Sequence, residues 1–310
     1  MAKYIIKRLI QAFFVILLIA VITFFLMNLV PGGPFLTEKA LSPEVLAAKE
    51  AKYGLDKPLL VQLKNYICDL FKLDLGVSFK MQINRPVLTI ILEMFPVSCK
   101  LGAVALLWAI LWGIPIGCLA AYYRGTWVDN VLRIFTTIGV SIPGFVVATV
   151  LLVIFGVKLR VLPTIGLYGP LNYIMPVIAL SLSPMCYVGR LTRASMLDVI
   201  NQEYIRTAKA KGLKTRIIIF KHALRNSLIP VLTYLGPLTA NILTGGFVVE
   251  TVFSIPGLGR YFVQSIGNRD YPIILGTTIF LAAFVVFMTL IVDILYRVVD
   301  PRMDLSKETN

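Results

Sequence analysis

Residues 203–230, EYIRTAKAKGLKTRIIIFKHALRNSLIP, form a polar, basic insert between two apolar segments. An alanine-containing helix begins near Glu203 and should stop at Gly212, because glycine enters the left-handed cap conformation without a Cβ clash. A second, amphipathic helix then leads through His222 and Arg225 to Pro230 and the next apolar run. Ala208, Ala210 and Gly212 leave little side-chain bulk, while Arg206, Lys209, Lys211 and Lys214 surround them with positive charge. Such a surface suits close contact with the backbone of another protein. The competing reading is a loop whose basic residues only orient the chain and touch anionic lipid.

The flanks of this insert are membrane sequence. Hydrophobic residues make up 58% of the 310, and the mean hydropathy is +0.83, far above a soluble domain of this length. A helix rises about 1.5 Å per residue through a hydrocarbon core about 30 Å thick, so a span needs roughly 20 apolar residues. Six segments qualify, at about 9–30, 97–121, 131–156, 171–189, 228–249 and 273–292. The first follows Lys3, Lys7 and Arg8, but its apolar run is longer than a signal core and no cleavage pattern follows it, so it reads as a retained anchor. The expected class is therefore an all-α, six-span integral membrane protein.

Lysine and arginine set the expected orientation. With the N-terminus inside, the inner segments hold 17 basic residues and the two short outer loops hold 4, namely Lys158, Arg160, Arg260 and Arg269. Both termini are then expected in the cytoplasm. The net charge of +14 calls for no nucleic acid, since the basic residues lie where this rule places them. On this reading residues 1–30 are an inner tail and the first span, and 31–96 form an outer loop. Residues 97–297 are a five-span core carrying the inner loop 190–227, and 298–310 are an inner tail.

The long loop carries helical signals of its own. Ser42 and Pro43 mark a helix start, and a second helix begins near Pro58 with Leu59, Leu63, Tyr66, Ile67, Leu70 and Phe71 on one face. That face is expected to pack on the outer membrane surface or on other helices, as a small cap and not a catalytic domain.

Catalytic chemistry is poorly represented. Cys68, Cys99, Cys118 and Cys186 have no CxxC spacing and read as small buried hydrophobes, with a bridge between Cys68 and Cys99 left open. His222, the single histidine, has no evident catalytic partner, and no metal-binding spacing occurs. A phosphate loop of the GxxxxGK[ST] type is missing, so the chain is not expected to bind ATP or be an enzyme, and energy must come from another subunit. An ion-coupled carrier, the alternative of a different class, would keep an acidic residue at mid-span. Here Lys100, Arg133, Glu250, Asp293 and Arg297 all sit near span ends.

Helix interrupters are frequent. Gly113, Pro115 and Gly117 mark the second span, Pro143 and Gly144 the third, Pro176 and Pro184 the fourth, and Gly236, Pro237, Gly245 and Gly246 the fifth. Proline removes a donor and kinks a helix, and the freed carbonyl needs a neighbour or a wet cavity. Pro143, Gly144, Gly236, Pro237, Gly245, Gly246 and Glu250 are the candidates for helix breaks along a path. Pro256, Gly257, Gly259 and Arg260 form a turn before a short helix around 260–266, the candidate outer gate loop.

Several of these runs resemble the permease subunits of binding-protein-dependent ABC importers, in their oligopeptide and dipeptide form. The runs are YIRTAKAKG and HALRNSLIP in the inner loop, YGLDKPLLVQL and LDLGVSF in the outer one, then FSIPGLGR, NRDYP and VDILYRVVDPRM. Arg206-Thr207-Ala208 stands where the wider family has Glu-Ala-Ala, and Gly33 where it usually has aspartate. The resemblance implies a type I importer transmembrane fold in a prokaryotic inner membrane. It also implies a second permease, two ATPase subunits that hold ATP and magnesium, and an outer substrate-binding protein. Coupling to the ATPases would fall on Glu203, Arg206, Thr207, Ala208, Ala210, Gly212, Arg225 and Pro230. Peptides are the implied substrate, and nickel or glutathione the runner-up.

Overall fold

The computed structural model describes residues 2–35, 42–214, 217–244 and 246–299. Gly245, Thr215 and nearly all of the tail 298–310 lie outside the described residues, as does the His222 side chain. Among those described, the chain is helical, with one isolated bridge between Val77 and Pro86. Among the described residues five helices are long and apolar enough to cross a membrane, and there are six spans where the sharply bent pair Trp127–Ser141 and Gly144–Lys158 counts as one. The chain divides into two compact units, 1–97 with 256–286 and 98–255 with 287–310.

The first unit contains α1 (Ala2–Leu29), α2 (Pro43–Lys52), α3 (Leu59–Phe71), the start of α4 (Val87–Tyr122), α11 (Leu258–Asn268) and most of the apolar part of α12 (Tyr271–Val299). In α1 only 11% of the apolar window is buried, so this helix turns its side chains outward, as lipid contact requires. The amphipathic α3 packs along it, with Tyr66 stacked on Phe24 and Phe71 near Phe13. Part of the presumed outer cap thus lies beside the first span. The second span also begins earlier than its hydropathy suggests, because α4 starts at Val87 and runs through Pro96. Phe95 meets Phe280 and Phe284 edge-on there, which holds this first part of α4 to α12.

In the second unit, α7 (Leu171–Ile200) is the central helix. Against it pack α5 (Trp127–Ser141), α6 (Gly144–Leu151) with its π-helical extension Leu152–Lys158, and α9 (Leu224–Leu243). Close approach to α4 depends on small residues: a Cβ at Gly113 or Gly117 would overlap the carbonyls of Met185 and Gly189. This is the small-residue packing by which membrane helices gain contact area.

The third span is broken where expected. Ile142 and Pro143 are both extended, and the helices on either side meet at 98°. Proline pushes the preceding residue out of the helical region, so two successive residues leave it here. The other prolines behave differently, and this corrects the expected interruption at Gly236 and Pro237. Pro176 and Pro184 lie inside α7, Pro230 and Pro237 inside α9, and each helix continues through them. One lost hydrogen bond is tolerated where the rest of the ladder and neighbouring helices hold the backbone. Gly236 is a close-packing residue, its missing Cβ leaving room for Val292. The fifth apolar run pauses just beyond α9, and α10 (Phe247–Val252) follows Gly246, whose ψ of 81° is not helical.

All four cysteines are free thiols, so Cys68 and Cys99 are not paired.

Candidate docking surface around a short two-faced helix

After α7 ends at Ile200, the chain turns through Asn201 and Gln202 into α8 (Glu203–Ala210). Its one strongly apolar residue, Ile205, and the small Ala208 three positions on fall on one side of the helix. Both are buried, in a cluster with Cys118 and Ala121 of α4, Met196 of α7, and Ile218, Ile219 and Ala223. The last three belong to a π-helical turn, Ile218–Ala223, that leads into α9. Apolar burial therefore seats α8 across the closing turns of two spans and the opening of a third. A hydrogen bond adds to it, as Asn226 Nδ2 of α9 donates to Tyr204 Oη at 2.7 Å.

The opposite face is open. Glu203, Tyr204, Arg206, Thr207 and Ala210 are exposed, followed by Lys211, Gly212, Leu213 and Lys214. Gly212 takes φ +74°, the left-handed cap expected of it, and Leu213 N–H reaches back to Ala208 O. A Cβ there would meet nothing within 4 Å. Arg225 and Pro230 are exposed on α9.

One expected residue is corrected. Ala208 is 8% exposed and faces the chain's own core, so it does not share an outer small-residue face with Ala210 and Gly212. The reason is helical phase: Ile205 must be buried, and Ala208 follows it one turn later.

Sequence reasoning missed an ion pair between α5 and α7. Asp129, in the first turn of α5, is 2% exposed. Arg193 of α7 grips it through two parallel bonds, Nε to Oδ1 at 2.7 Å and Nη2 to Oδ2 at 2.9 Å. Gly125 N–H donates to Oδ2 at 3.0 Å, so the turn between α4 and α5 is tied to α7 near the α8 junction. Arg193 had counted only as one more basic residue of the inner loop. Sequence offers no signal for a pair 64 positions apart.

Asp270, just before α12, was missed as well. Ser78 Oγ donates to its Oδ2 at 2.6 Å, and the backbone N–H groups of Phe79, Lys80 and Met81 reach its carboxylate at 2.9–3.0 Å. Burial and the neighbouring Arg269 push the Lys80 amine below the usual lysine range, with Asp270 pulling it back up.

Several expected path residues come together, with Gly144 against Ala179 and Gly246 against Leu180 of α7, and α10 packed on α6. Pro143 and Gly144 form the bend, and Glu250 is fully buried in α10. In the expected outer gate, Gly257 and Gly259 are buried, Pro256 is exposed and Arg260 half-buried. Among the described residues no group of three metal-ligating side chains converges.

Against this geometry, residues 113–305 match the model of the family described as "Binding-protein-dependent transport system inner membrane component". Residues 1–102 match its N-terminal companion, "Binding-prot-dependent transport system membrane comp, N-term". The chain belongs to this family of transport permeases. Over 308 residues it is 44% identical to the dipeptide transport system permease protein DppB of Bacillus subtilis, covering 99% of this chain and 100% of that one. It is also 44% identical over 305 residues to the oligopeptide transport system permease protein OppB of Haemophilus influenzae, covering 98% and 99%.

Two solved structures share its fold, the type I importer transmembrane arrangement. An inward-facing methionine ABC transporter, MetNI, aligns with a TM-score of 0.55 at 17% identity, covering 68% of this chain and 97% of that one. An amino acid ABC transporter with histidines gives 0.51 at 20%, covering 69% and 94%. The chain is thus a multi-pass membrane permease of the ABC importer class, as its motifs suggested.

Proposed function

We propose that this chain is one of two permease subunits in an ATP-driven peptide importer. The observation that carries the substrate is full-length similarity, at 44% identity, to proteins named as dipeptide and oligopeptide permeases. The alternative cargoes, nickel and glutathione, are not favoured by these relatives. Six spans in one chain are few to enclose a peptide-sized path, which favours a second permease. Peptides would arrive from an outer substrate-binding protein.

In this reading α8 is the coupling element. Its apolar face is sealed into the chain, so displacement of α8 is transmitted to α4, α7 and α9 as a body and not lost in a flexible loop. Its outer face, with Glu203, Arg206, Thr207, Ala210 and Gly212, is free to enter a groove on an ATPase subunit, with Arg225 and Pro230 nearby on α9. ATP and magnesium belong to those subunits, and this chain supplies motion and a path. ATP binding would draw the coupling elements together and open the path outward, and hydrolysis would return it inward. The bend at Pro143-Gly144, the pause at Gly246 and the segment 256–260 are the proposed moving parts.

The basic-residue distribution supports both termini inside. Single cysteines placed in a cysteine-free chain at Tyr168, which is 87% exposed, and at Lys214 test it with an impermeant thiol reagent. Labelling at Tyr168 and protection at Lys214 in sealed cells is the expected result, and the reverse pattern overturns the orientation. For function, cells deleted for this subunit should lose peptide uptake while retaining nickel uptake. Loss of nickel uptake alone would transfer the chain to the other branch.

A further inference from the structure

A cavity of about 210 Å3 opens between α4, α5 and α7, lined on one side by Ile116, Ala120 and Leu132 and on the other by Arg133, Arg190 and Arg193. Its charge is unbalanced. Asp129, the carboxylate at its edge, has both oxygens occupied by Arg193 and Gly125. Arg133 has only a bond to the neutral Asn130, and Arg190 lies over the Tyr187 ring at 5.7 Å. Among the described residues no ion pair satisfies either guanidinium.

Depth and surroundings narrow the class of anion. On α4 the lining residues lie in its last two turns, on α5 within its first three, and on α7 Arg190 is the twentieth residue. At about 1.5 Å per residue that places Arg190 near 30 Å along α7, one hydrocarbon thickness from its start. The guanidinium groups therefore stand at the level of lipid headgroups. Whole small-molecule sites occupy about 300–1,000 Å3, so this cleft is too small for a peptide yet open to a headgroup whose chains remain outside.

We propose that this cleft binds the phosphate headgroup of an anionic phospholipid, with Arg133 and Arg190 on the phosphate and the acyl chains outside the cleft. Arginine suits phosphate because its planar fork offers paired donors, and basic pockets between spans are a recurring form of headgroup site. Arg193 is a positioning residue, held by Asp129 so that the cleft keeps its shape. Since Arg193 and Asp129 also tie the α4–α5 turn to α7, an occupied cleft would stiffen that junction.

The test uses the assembled transporter in detergent, titrated with phosphatidylglycerol or phosphatidylethanolamine and read by native mass spectrometry. Wild type should retain phosphatidylglycerol preferentially. Arg133→Gln with Arg190→Gln should weaken that retention at least about tenfold, while Arg124→Gln, an exposed charge outside the cleft, should leave it unchanged. Replacing both arginines by lysine should keep part of the preference, through charge without the paired donors, which separates loss of charge from misfolding. Equal retention by the doubly neutralised variant, with or without impaired peptide uptake, overturns the proposal. Displacement of the lipid by millimolar inorganic phosphate also overturns it, in favour of a small-anion site.

Discussion

The loop 77–86 in the first unit and α8 in the second are both short segments fixed to a helical framework, but by opposite means. Asp270 holds the loop with a carboxylate that takes up three consecutive backbone N–H groups and a hydroxyl. Helix α8 is held by burying Ile205 and Ala208 among apolar neighbours. A segment fixed by hydrogen bonds has spent its polar groups on its own chain. One fixed by apolar burial leaves them free, and this is why α8, and not the loop, presents an open polar face.

The sharpest way to break that comparison is to remove the carboxylate. Asp270→Ala leaves four donors without their acceptor, and buried unsatisfied groups cost about 1 to 3 kcal/mol each, so a loss of roughly 3 kcal/mol or more is expected. Asp270→Asn should recover part of it, because its amide oxygen can take the Oδ2 place and accept from Ser78, Lys80 and Met81, while its NH2 group faces the Phe79 N–H. The measurement is the fraction of chain surviving heating in detergent, with limited proteolysis at residues 77–86. A stable, protease-resistant Asp270→Ala chain would mean that the loop is held by its other contacts, such as Gln82 with Tyr261.

The Asp129–Arg193 pair should come next. Removing either partner strands the other, at about 3 kcal/mol for a buried pair. Asp129→Ala with Arg193→Ala should cost clearly less than the sum of the single changes, as coupled neighbours do. Additive costs would show that the two groups act independently.

These two anchors also mark where reading the sequence stopped. The span pattern, the break at Pro143 and the cap at Gly212 were legible because each depends on a few adjacent residues: apolar length, the restriction before proline, and a left-handed φ that suits glycine. Passage of α7 through Pro176 and Pro184 was not legible, since it depends on helices packed from elsewhere in the chain. Partners 64 and about 190 positions apart are equally invisible to local pattern. Helix α8 lies between these cases. Its existence was readable, but its rotation was misjudged because attention went to small residues and not to Ile205, the one side chain that had to be buried.

The two faces of α8 can be separated by volume. Ile205→Ala should cost about 2 to 5 kcal/mol through the cavity it opens, and Ala208→Trp about 1 to 3 through overpacking. Both should lower the yield of folded chain. Gly212→Glu meets nothing within this chain, so its cost to folding is limited to left-handed strain of about 1 to 2 kcal/mol. Its effect should instead be loss of ATPase co-purification and of peptide uptake from chain that is still inserted. If Ala208→Trp folded normally and only failed to retain the ATPase, the assignment of inner and outer faces would be reversed.

The smallest effect is expected at Lys214→Gln. Lys214 is exposed beyond the Gly212 turn, and an exposed charge contributes about 0 to 1 kcal/mol to a contact. Its contribution should lie in the rate of association, through attraction that salt screens, more than in the lifetime of the complex. Co-purification at physiological ionic strength should therefore match wild type, while association at low salt slows by a few-fold. Comparing Lys214→Gln with Gly212→Glu across a salt series separates the readings of this loop. If Lys214→Gln abolished retention while Gly212→Glu preserved it, charge and not close packing would hold the partner, and α8 would be an electrostatic tether to lipid or protein instead of a seated coupling helix.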